Sequence, residues 1–281
     1  MSLGHNDAVS TRRLIAVDDA LLEVDVLGEG EPVVIIQTAL AAEELLPLAQ
    51  RVSLGGNRVL HYHRRGYAGS SAIVGPQSMS SQAADCHALL AAMGMGAAHV
   101  IGASYSAAVA LAAAATYPES VRTVTIIEPP PMQSSNTEDF FELTARLVES
   151  YRTQGDQVAL GEFMEVLMGP DWREVSERDR PGSVADMERD AQTFFESDLP
   201  ALLAWDFDPA RAATIRCPVL YVAGAATAAW FVDAQTRLPA LLPQTEVLFV
   251  SGAEHLVVTT HLSETADLVL GFLTRHRADP A

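Results

Sequence analysis

The sequence lacks lysine, because all 18 of its basic residues are arginine, and they stand against 36 acidic residues. Without lysine the chain cannot form a Schiff base, hold pyridoxal phosphate covalently or build a phosphate-binding P-loop. The formal net charge of −18 disfavours phosphate-rich partners, since these require clustered cations. We therefore expect a small-molecule substrate and neither a nucleic-acid nor a membrane partner.

Cysteines and long apolar runs are also scarce. Cys86 and Cys217 are far apart and form no CxxC motif, which disfavours a disulfide framework and a cysteine-ligated zinc site. No apolar run approaches the roughly 18 residues of a membrane span, and no signal peptide is evident. We expect a cytoplasmic protein, either a monomer or a homodimer.

Short β-type runs alternate with helical patterns over most of the chain. The runs lie at 22–26, 33–36, 58–62, 100–101, 124–127, 219–222 and 247–250. Alternation of this kind predicts an α/β fold with a mostly parallel sheet covered by helices on both faces. The β signal vanishes between about 132 and 214, where half of the aromatic residues lie in charged, helical sequence. This segment is expected to be a helical cap.

The segment Gly102-Ala103-Ser104-Tyr105-Ser106 follows an apolar run and precedes an alanine-rich helical pattern. A strand, a sharp turn and a helix in that order place a serine hydroxyl on an exposed elbow, as in the GxSxG motif of hydrolases. Here Ser106 stands where that motif has its second glycine. The pattern is specific only in this context, and it makes Ser104 the candidate nucleophile.

Three motifs resemble those of the α/β-hydrolase superfamily, in particular its cap-bearing bacterial members. They are the segment 62–70 (YHRRGYAGS), the elbow and the segment 251–256 (SGAEHL). The cap segment 195–202 (FESDLPAL) also resembles that group. The resemblance implies a twisted sheet of about eight strands, a core formed by 1–131 and 215–281, and a cap at 132–214 inserted after the sixth strand of that sheet.

The resemblance also implies a Ser-His-acid triad. His255, after the last β-type run, is the expected base for Ser104. The usual site of the acid, about three residues beyond Gly224, reads Ala-Ala-Thr. Glu128, at the end of the run that follows the nucleophile helix, is the preferred replacement, because ligand-facing residues gather at the carboxyl ends of parallel strands. Asp233 is the second choice, and Glu254 is too close to His255 in sequence to align well with it.

The expected oxyanion hole also departs from the family pattern. The backbone N–H groups of Ala39 and Tyr105 are the implied donors. The His-Gly pair that the family has before Ala39 is replaced by Gln37-Thr38. Threonine at this position removes easy access to positive φ and adds bulk next to the substrate.

The substrate pocket is expected to include Gln37, Thr38, Phe140, Phe195 and Trp205, although aromatic residues at helical spacing also form the internal core of a cap. His61 and His63 form an HxH pair for which the sequence shows no third ligand. We interpret both as structural. We expect no metal and no cofactor.

Two hypotheses follow. The first is a serine hydrolase that acts on an ester, lactone or thioester of an apolar small molecule. The second is the same fold reused without hydrolysis, as a small-molecule binding protein, a lyase, a cyclase or a cofactor-free oxygenase. The departures at the elbow, the oxyanion hole and the acid position motivate the second hypothesis, because a fold does not fix a function.

Overall fold

The computed structural model describes residues 11–278. Eight strands form one sheet in the order β1-β2-β4-β3-β5-β6-β7-β8. From β4 to β8 all neighbours are parallel, whereas β2 is antiparallel to both β1 and β4. The strands are β1 (Thr11–Val17), β2 (Ala20–Leu27), β3 (Glu31–Ile36), β4 (Asn57–Tyr62), β5 (Ala98–Ala103), β6 (Val121–Ile127), β7 (Val219–Gly224) and β8 (Thr245–Val250).

Helices cover both faces of this sheet and form the segment between β6 and β7. They are α1 (Leu46–Ser53), α2 (Met79–Ala92), α3 (Tyr105–Thr116), α4 (Glu138–Gln154), α5 (Asp156–Met168), α6 (Trp172–Asp179), α7 (Ser183–Thr193), α8 (Leu199–Leu203), α9 (Pro209–Ala212), α10 (Ala229–Leu241), α11 (Val257–Thr260) and α12 (Leu262–Arg275). A 3₁₀ turn (Pro118–Ser120) and a π-helical turn (Phe194–Asp198) complete the set.

Two apolar layers hold the sheet between its helices. Side chains of α2 and α3 pack with one face of the strands, and side chains of α1 and α12 pack with the other. The central strands β3, β5 and β7 are buried on both faces, which explains why they are continuous apolar runs rather than alternating ones. The predicted fold class is therefore confirmed. The edge strand β1 has no counterpart among the predicted β-type runs.

The segment between β6 and β7, which we predicted to be a helical cap and call the cap below, has an apolar core of its own, formed by side chains of α4 to α8 together with Leu40. Its final part is different: Ala201, Leu202, Trp205 and Phe207 belong to the apolar layer beside α2 and α3. The predicted division at 132 and 214 remains a prediction, and residues 1–10 and 279–281 of the predicted core lie outside the described residues. No helix within 11–278 is long and apolar enough to cross a membrane.

Candidate active site

Ser104 lies on a sharp turn between β5 and α3. Its φ of 48° and ψ of −123° place it in a region that residues other than glycine rarely adopt. A Cβ at Gly102 would lie 2.2 Å from the carbonyl oxygen of Ser106, so glycine is required there. The turn therefore has the geometry of a nucleophile elbow, with one of the two glycines of that motif in place.

Ser106, at the position of the second glycine, does not strain the elbow, because it is absent from the residues with positive φ. Its hydroxyl accepts a hydrogen bond from the Ala103 N–H at 2.9 Å and donates one to the Ala103 carbonyl at 3.0 Å. Ser106 thus stabilises the turn through two hydrogen bonds that a glycine at this position could not make.

The three residues predicted to form the triad lie in one hydrogen-bonded chain. His255 Nε2 lies 3.0 Å from Ser104 Oγ, and His255 Nδ1 lies 3.3 Å from Glu128 Oε2. With the proton on Nδ1, the imidazole donates to the carboxylate and accepts from the serine hydroxyl. The ring of Phe231 stacks on His255 with centroids 3.9 Å apart, which restricts the orientation of the imidazole.

Glu128 follows β6 with φ of 44° and is almost fully buried. Its Oε1 accepts from the Gly224 N–H at 2.7 Å, and its Oε2 accepts from the Thr227 hydroxyl at 2.6 Å. Thr227 is at the position where the family pattern places the acid. The carboxylate next to His255 is therefore at the end of the neighbouring strand β6, and the hydroxyl at the expected acid position donates a hydrogen bond to it.

The two alternative acids are placed elsewhere. Asp233 accepts hydrogen bonds from Ser134 and Asn136 and forms an ion pair with Arg237. Glu254 is exposed at the rim of the cavity that Ser104 faces. Among these three carboxylates, the hydrogen bond to His255 is made by Glu128.

Ala39 and Tyr105, the predicted oxyanion donors, both line the cavity at Ser104. Within residues 11–278 neither backbone N–H donates to another group of the protein. Thr38 does not have positive φ, so the conformational freedom of the replaced glycine is not needed there, and the positive φ of this loop is at Leu40. The Thr38 hydroxyl donates to the Ala103 carbonyl at 2.9 Å and so connects this loop to the elbow.

A buried ion pair lies beneath this loop. Arg64, which follows β4, makes two hydrogen bonds to Asp198 of the π-helical turn, at 2.8 and 2.7 Å. The same guanidinium donates to the carbonyl oxygens of Gln37 and Thr38 at 2.9 and 3.1 Å. Burial opposes the charge of Arg64, but Asp198 outweighs it and raises the pKa of the guanidinium.

Tyr67 connects this network to Leu40, two residues beyond Thr38. Its hydroxyl donates to Asp198 Oδ2 at 2.5 Å and accepts from the Leu40 N–H at 3.1 Å. Asp198 lies in the cap segment that carried part of the family resemblance, but its pairing with Arg64 could not be read from the sequence. The network connects the cap to the loop that carries Ala39.

The cavity has a volume of about 870 Å³. Its wall is mostly apolar, and many of its large side chains come from the cap and from α10: Phe140, Leu143, Leu147, Phe163, Met164, Phe194, Leu199, Leu202, Trp230 and Phe231. Glu44 also lines it, and burial raises the pKa of the Glu44 carboxyl against the opposing effects of His255 and Arg180.

Two of the five predicted pocket residues, Thr38 and Phe140, line this cavity, and three do not. Gln37 is fully buried below the loop, where its carboxamide accepts from the Arg64 N–H. Phe195 stacks on Tyr151 in the cap core, and Trp205 stacks on Phe207 in the layer next to the sheet. The sequence pattern could not separate these internal contacts from a cavity wall.

The sequence showed no third ligand near His61 and His63, but the structure places two carboxylates beside them. Asp25 and Glu43 lie beside them, and one ligand atom from each of the four residues falls within 4.8 Å of all the others. Asp25 is 36 residues before His61 in the chain, so the spacing carried no signal of this group.

A mostly parallel sheet that presents a serine on a strained elbow, in contact with a histidine and a buried carboxylate, defines an α/β protein built like a hydrolase. The chain belongs to the α/β-hydrolase fold family, whose model matches residues 32–262. No curated protein matches the sequence.

Solved structures agree with this fold. An enol-lactonase from Burkholderia xenovorans LB400 has 22% identity and a TM-score of 0.77 over 93% of this chain and 100% of its own. An α/β hydrolase from Sphaerobacter thermophilus DSM 20745 has 25% identity and a TM-score of 0.75 over 93% and 100%. A thermophilic esterase from Thermogutta terrifontis has 19% identity and a TM-score of 0.71 over 96% and 100%.

Proposed function

We propose that the protein is a serine hydrolase that cleaves an ester, lactone or thioester bond of an apolar small molecule. The observation that carries the proposal is the hydrogen-bonded chain from Ser104 through His255 to Glu128. Such a chain activates a hydroxyl that is a poor nucleophile at its free pKa. The esterase and lactonase activities of similarly folded proteins agree with it.

In the proposed reaction, Ser104 Oγ attacks the carbonyl carbon of the substrate while its proton passes to His255 Nε2. Glu128 stabilises the imidazolium that forms. The N–H groups of Ala39 and Tyr105 bind the negative oxygen of the tetrahedral intermediate. His255 then protonates the leaving alcohol or thiol, and a water molecule, deprotonated by the same imidazole, cleaves the acyl-enzyme.

The cavity favours apolar substrates. Its volume of about 870 Å³ accommodates a molecule of drug-like size, and its apolar lining would repay the burial of an acyl chain or ring. The hydrogen bond between His255 and Glu128 weighs against the alternative of a fold reused without hydrolysis, since the empty acid position was one of the three departures that motivated it.

The test is intact-mass analysis after exposure to a fluorophosphonate, which labels an activated serine without knowledge of the substrate. We expect one rapid adduct on the wild type, none on Ser104→Ala, and the wild-type rate on Ser251→Ala, whose serine is exposed outside the cavity. Activated esters of increasing acyl length, and lactones, would then define the substrate. A folded wild type that takes no label would refute the proposal.

A further inference from the structure

The histidine and carboxylate cluster lies where the antiparallel part of the sheet aligns its side chains. Arg12 of β1 is in register with Asp25 of β2, and Asp25 is in register with His61 of β4. Glu23 is two residues from Asp25 in the chain, and His63 is two residues from His61. These two residues also lie beside each other, because the backbone N–H of His63 donates to the backbone carbonyl of Glu23 at 2.9 Å. Side chains two residues apart on a strand share a face, so all five project from one side.

Two imidazoles of this cluster have ring nitrogens without hydrogen bonds. Among the residues that the structure describes, both nitrogens of His61 and the Nε2 of His63 make no hydrogen bond of normal length, although both side chains are fully buried. A buried polar atom without a hydrogen bond destabilises a fold. These atoms therefore have unused capacity to bind a ligand.

The spacing of the ligand atoms suits a small cation. His61 Nδ1 lies 3.7 Å from Asp25 Oδ2, and His63 Nε2 lies 3.5 Å from Glu43 Oε1. In tetrahedral zinc sites, metal–ligand distances of about 2.0–2.2 Å place the ligand atoms roughly 3.3–3.6 Å apart. A small inward movement of the four groups would bring them to that geometry.

Glu23 is placed as the outer partner of a ligating imidazole. Its Oε2 lies 2.8 Å from His63 Nδ1, which accordingly carries the proton and donates it to this carboxylate. The other ring nitrogen, Nε2, faces Glu43 Oε1 at 3.5 Å. Metal-bound histidines almost always donate their other ring N–H to a carboxylate, a carbonyl or water, because this fixes the tautomer and the ring.

The guanidinium of Arg12 faces the three carboxylates of this cluster, Glu23, Asp25 and Glu43. Its Nη2 lies 2.7 Å from Asp25 Oδ2 and 2.9 Å from Glu43 Oε1, the two oxygens nearest the imidazoles. Arg12 also contacts Asp25 Oδ1 through Nε at 3.0 Å and Glu43 Oε2 through Nη2 at 3.1 Å, so each carboxylate keeps a contact with Arg12 if its inner oxygen turns to a metal.

From this arrangement we infer that Asp25, Glu43, His61 and His63 form a site for a divalent transition-metal ion of the Zn²⁺ type. Two imidazole nitrogens and two carboxylate oxygens are a ligand set that suits this metal. Four protein ligands complete a tetrahedral shell, so the ion has a structural role. It connects β2 and β4 to the segment after β3, four residues beyond Ala39. Glu43 is partly exposed and provides an entry path.

Calorimetric titration of chelator-treated, tag-free protein with Zn²⁺ tests this inference. We expect one ion bound per chain, a higher melting temperature with the ion, and the visible spectrum of tetrahedral Co²⁺ when Co²⁺ is used instead. Glu43→Gln and His63→Gln should weaken binding by about 100-fold or more. His87→Gln, which alters a histidine outside the cluster, should bind like the wild type.

The Arg12→Gln variant distinguishes two explanations of this cluster, a metal site and a network of ion pairs. A metal site should still bind one Zn²⁺ in this variant, because Arg12 contributes no ligand. The inference is overturned if the wild type binds no Zn²⁺ in a defined ratio, or if Glu43→Gln and His63→Gln bind it as tightly as His87→Gln does. Glu43→Gln keeps the test valid if His63→Gln does not fold, because Glu43 is on a partly exposed turn.

Discussion

On one side of Ser104, which we call the acid side, Glu128 is held by a backbone N–H and the hydroxyl of Thr227. On the other, the oxyanion side, the loop of Thr38 and Ala39 rests on the buried ion pair of Arg64 with the cap. The acid side depends on hydrogen bonds between the ends of two adjacent strands, β6 and β7. The oxyanion side depends on a buried ion pair between the segment after β4 and the π-helical turn.

From this comparison we expect substitutions on the two sides to have different effects on activity and on stability. We expect a change on the acid side to alter the orientation of His255 and to leave the fold intact. A change on the oxyanion side removes a partner from a buried charge, which costs stability as well as geometry. The following predictions separate these two effects.

Glu128→Gln should have the largest effect. The amide cannot stabilise the imidazolium and favours the wrong tautomer of His255, so we expect kcat to fall by about 10⁴-fold while the melting temperature changes little. Steady-state kinetics with an activated ester would measure it. Asp233→Asn and Glu254→Gln, which change the other two candidate acids, should keep most of the activity. A loss with either of them comparable to that of Glu128→Gln would contradict the assignment.

Asp198→Asn should destabilise the fold by about 3–5 kcal/mol, because it leaves the Arg64 guanidinium buried and unpaired. Urea unfolding would measure the loss. The matched control is Glu188→Gln, which removes an exposed partner of Arg173 and should change the free energy of unfolding by less than about 1 kcal/mol. Equal effects of the two substitutions would show that the buried pair does not support the cap.

Thr227→Val should lower kcat by about tenfold, since it removes a hydrogen bond to a charged group without changing the volume of the side chain. Thr227→Ser should restore the rate, because the hydroxyl is what orients Glu128. Kinetics of the three proteins with one ester would show this. A serine variant as slow as the valine variant would mean that the methyl group matters, not the hydroxyl.

Thr38→Val should have the smallest effect, a loss of about 1 kcal/mol in the free energy of unfolding. The Ala103 carbonyl would keep its hydrogen bond from Ser106 when the Thr38 hydroxyl is removed. Urea unfolding of Thr38→Val and Thr38→Ser gives the measure. A loss as large as that of Asp198→Asn would show that this contact, rather than the ion pair, holds the loop.

The fold could be predicted from the sequence because buried parallel strands and covering helices differ in hydrophobic period. The edge strand β1 was missed, since Thr11–Val17 is largely exposed and has no buried pattern. The elbow, His255 and Glu128 could be placed because each follows a recognisable strand, and the carboxyl ends of parallel strands meet at one edge.

The rest of the site could not be predicted, because it depends on contacts across the chain. Arg64 and Asp198 are separated by 134 residues, and no local pattern records their pairing. Phe195 and Trp205 have the same character in sequence as Phe140, and only packing decides which of them borders the cavity. The role of Thr227 could not be predicted either. A threonine at the expected position of the acid indicates only that the acid is absent, not that its hydroxyl binds an acid on another strand.

The ion pair between Arg64 and Asp198 constrains how molecules reach Ser104. A cap that swung away from the sheet would break this ion pair and the hydrogen bond from the Tyr67 hydroxyl to Asp198. These contacts favour the closed arrangement, in which substrate and product pass through the mouth of the cavity. The width of that mouth then sets which molecules are admitted.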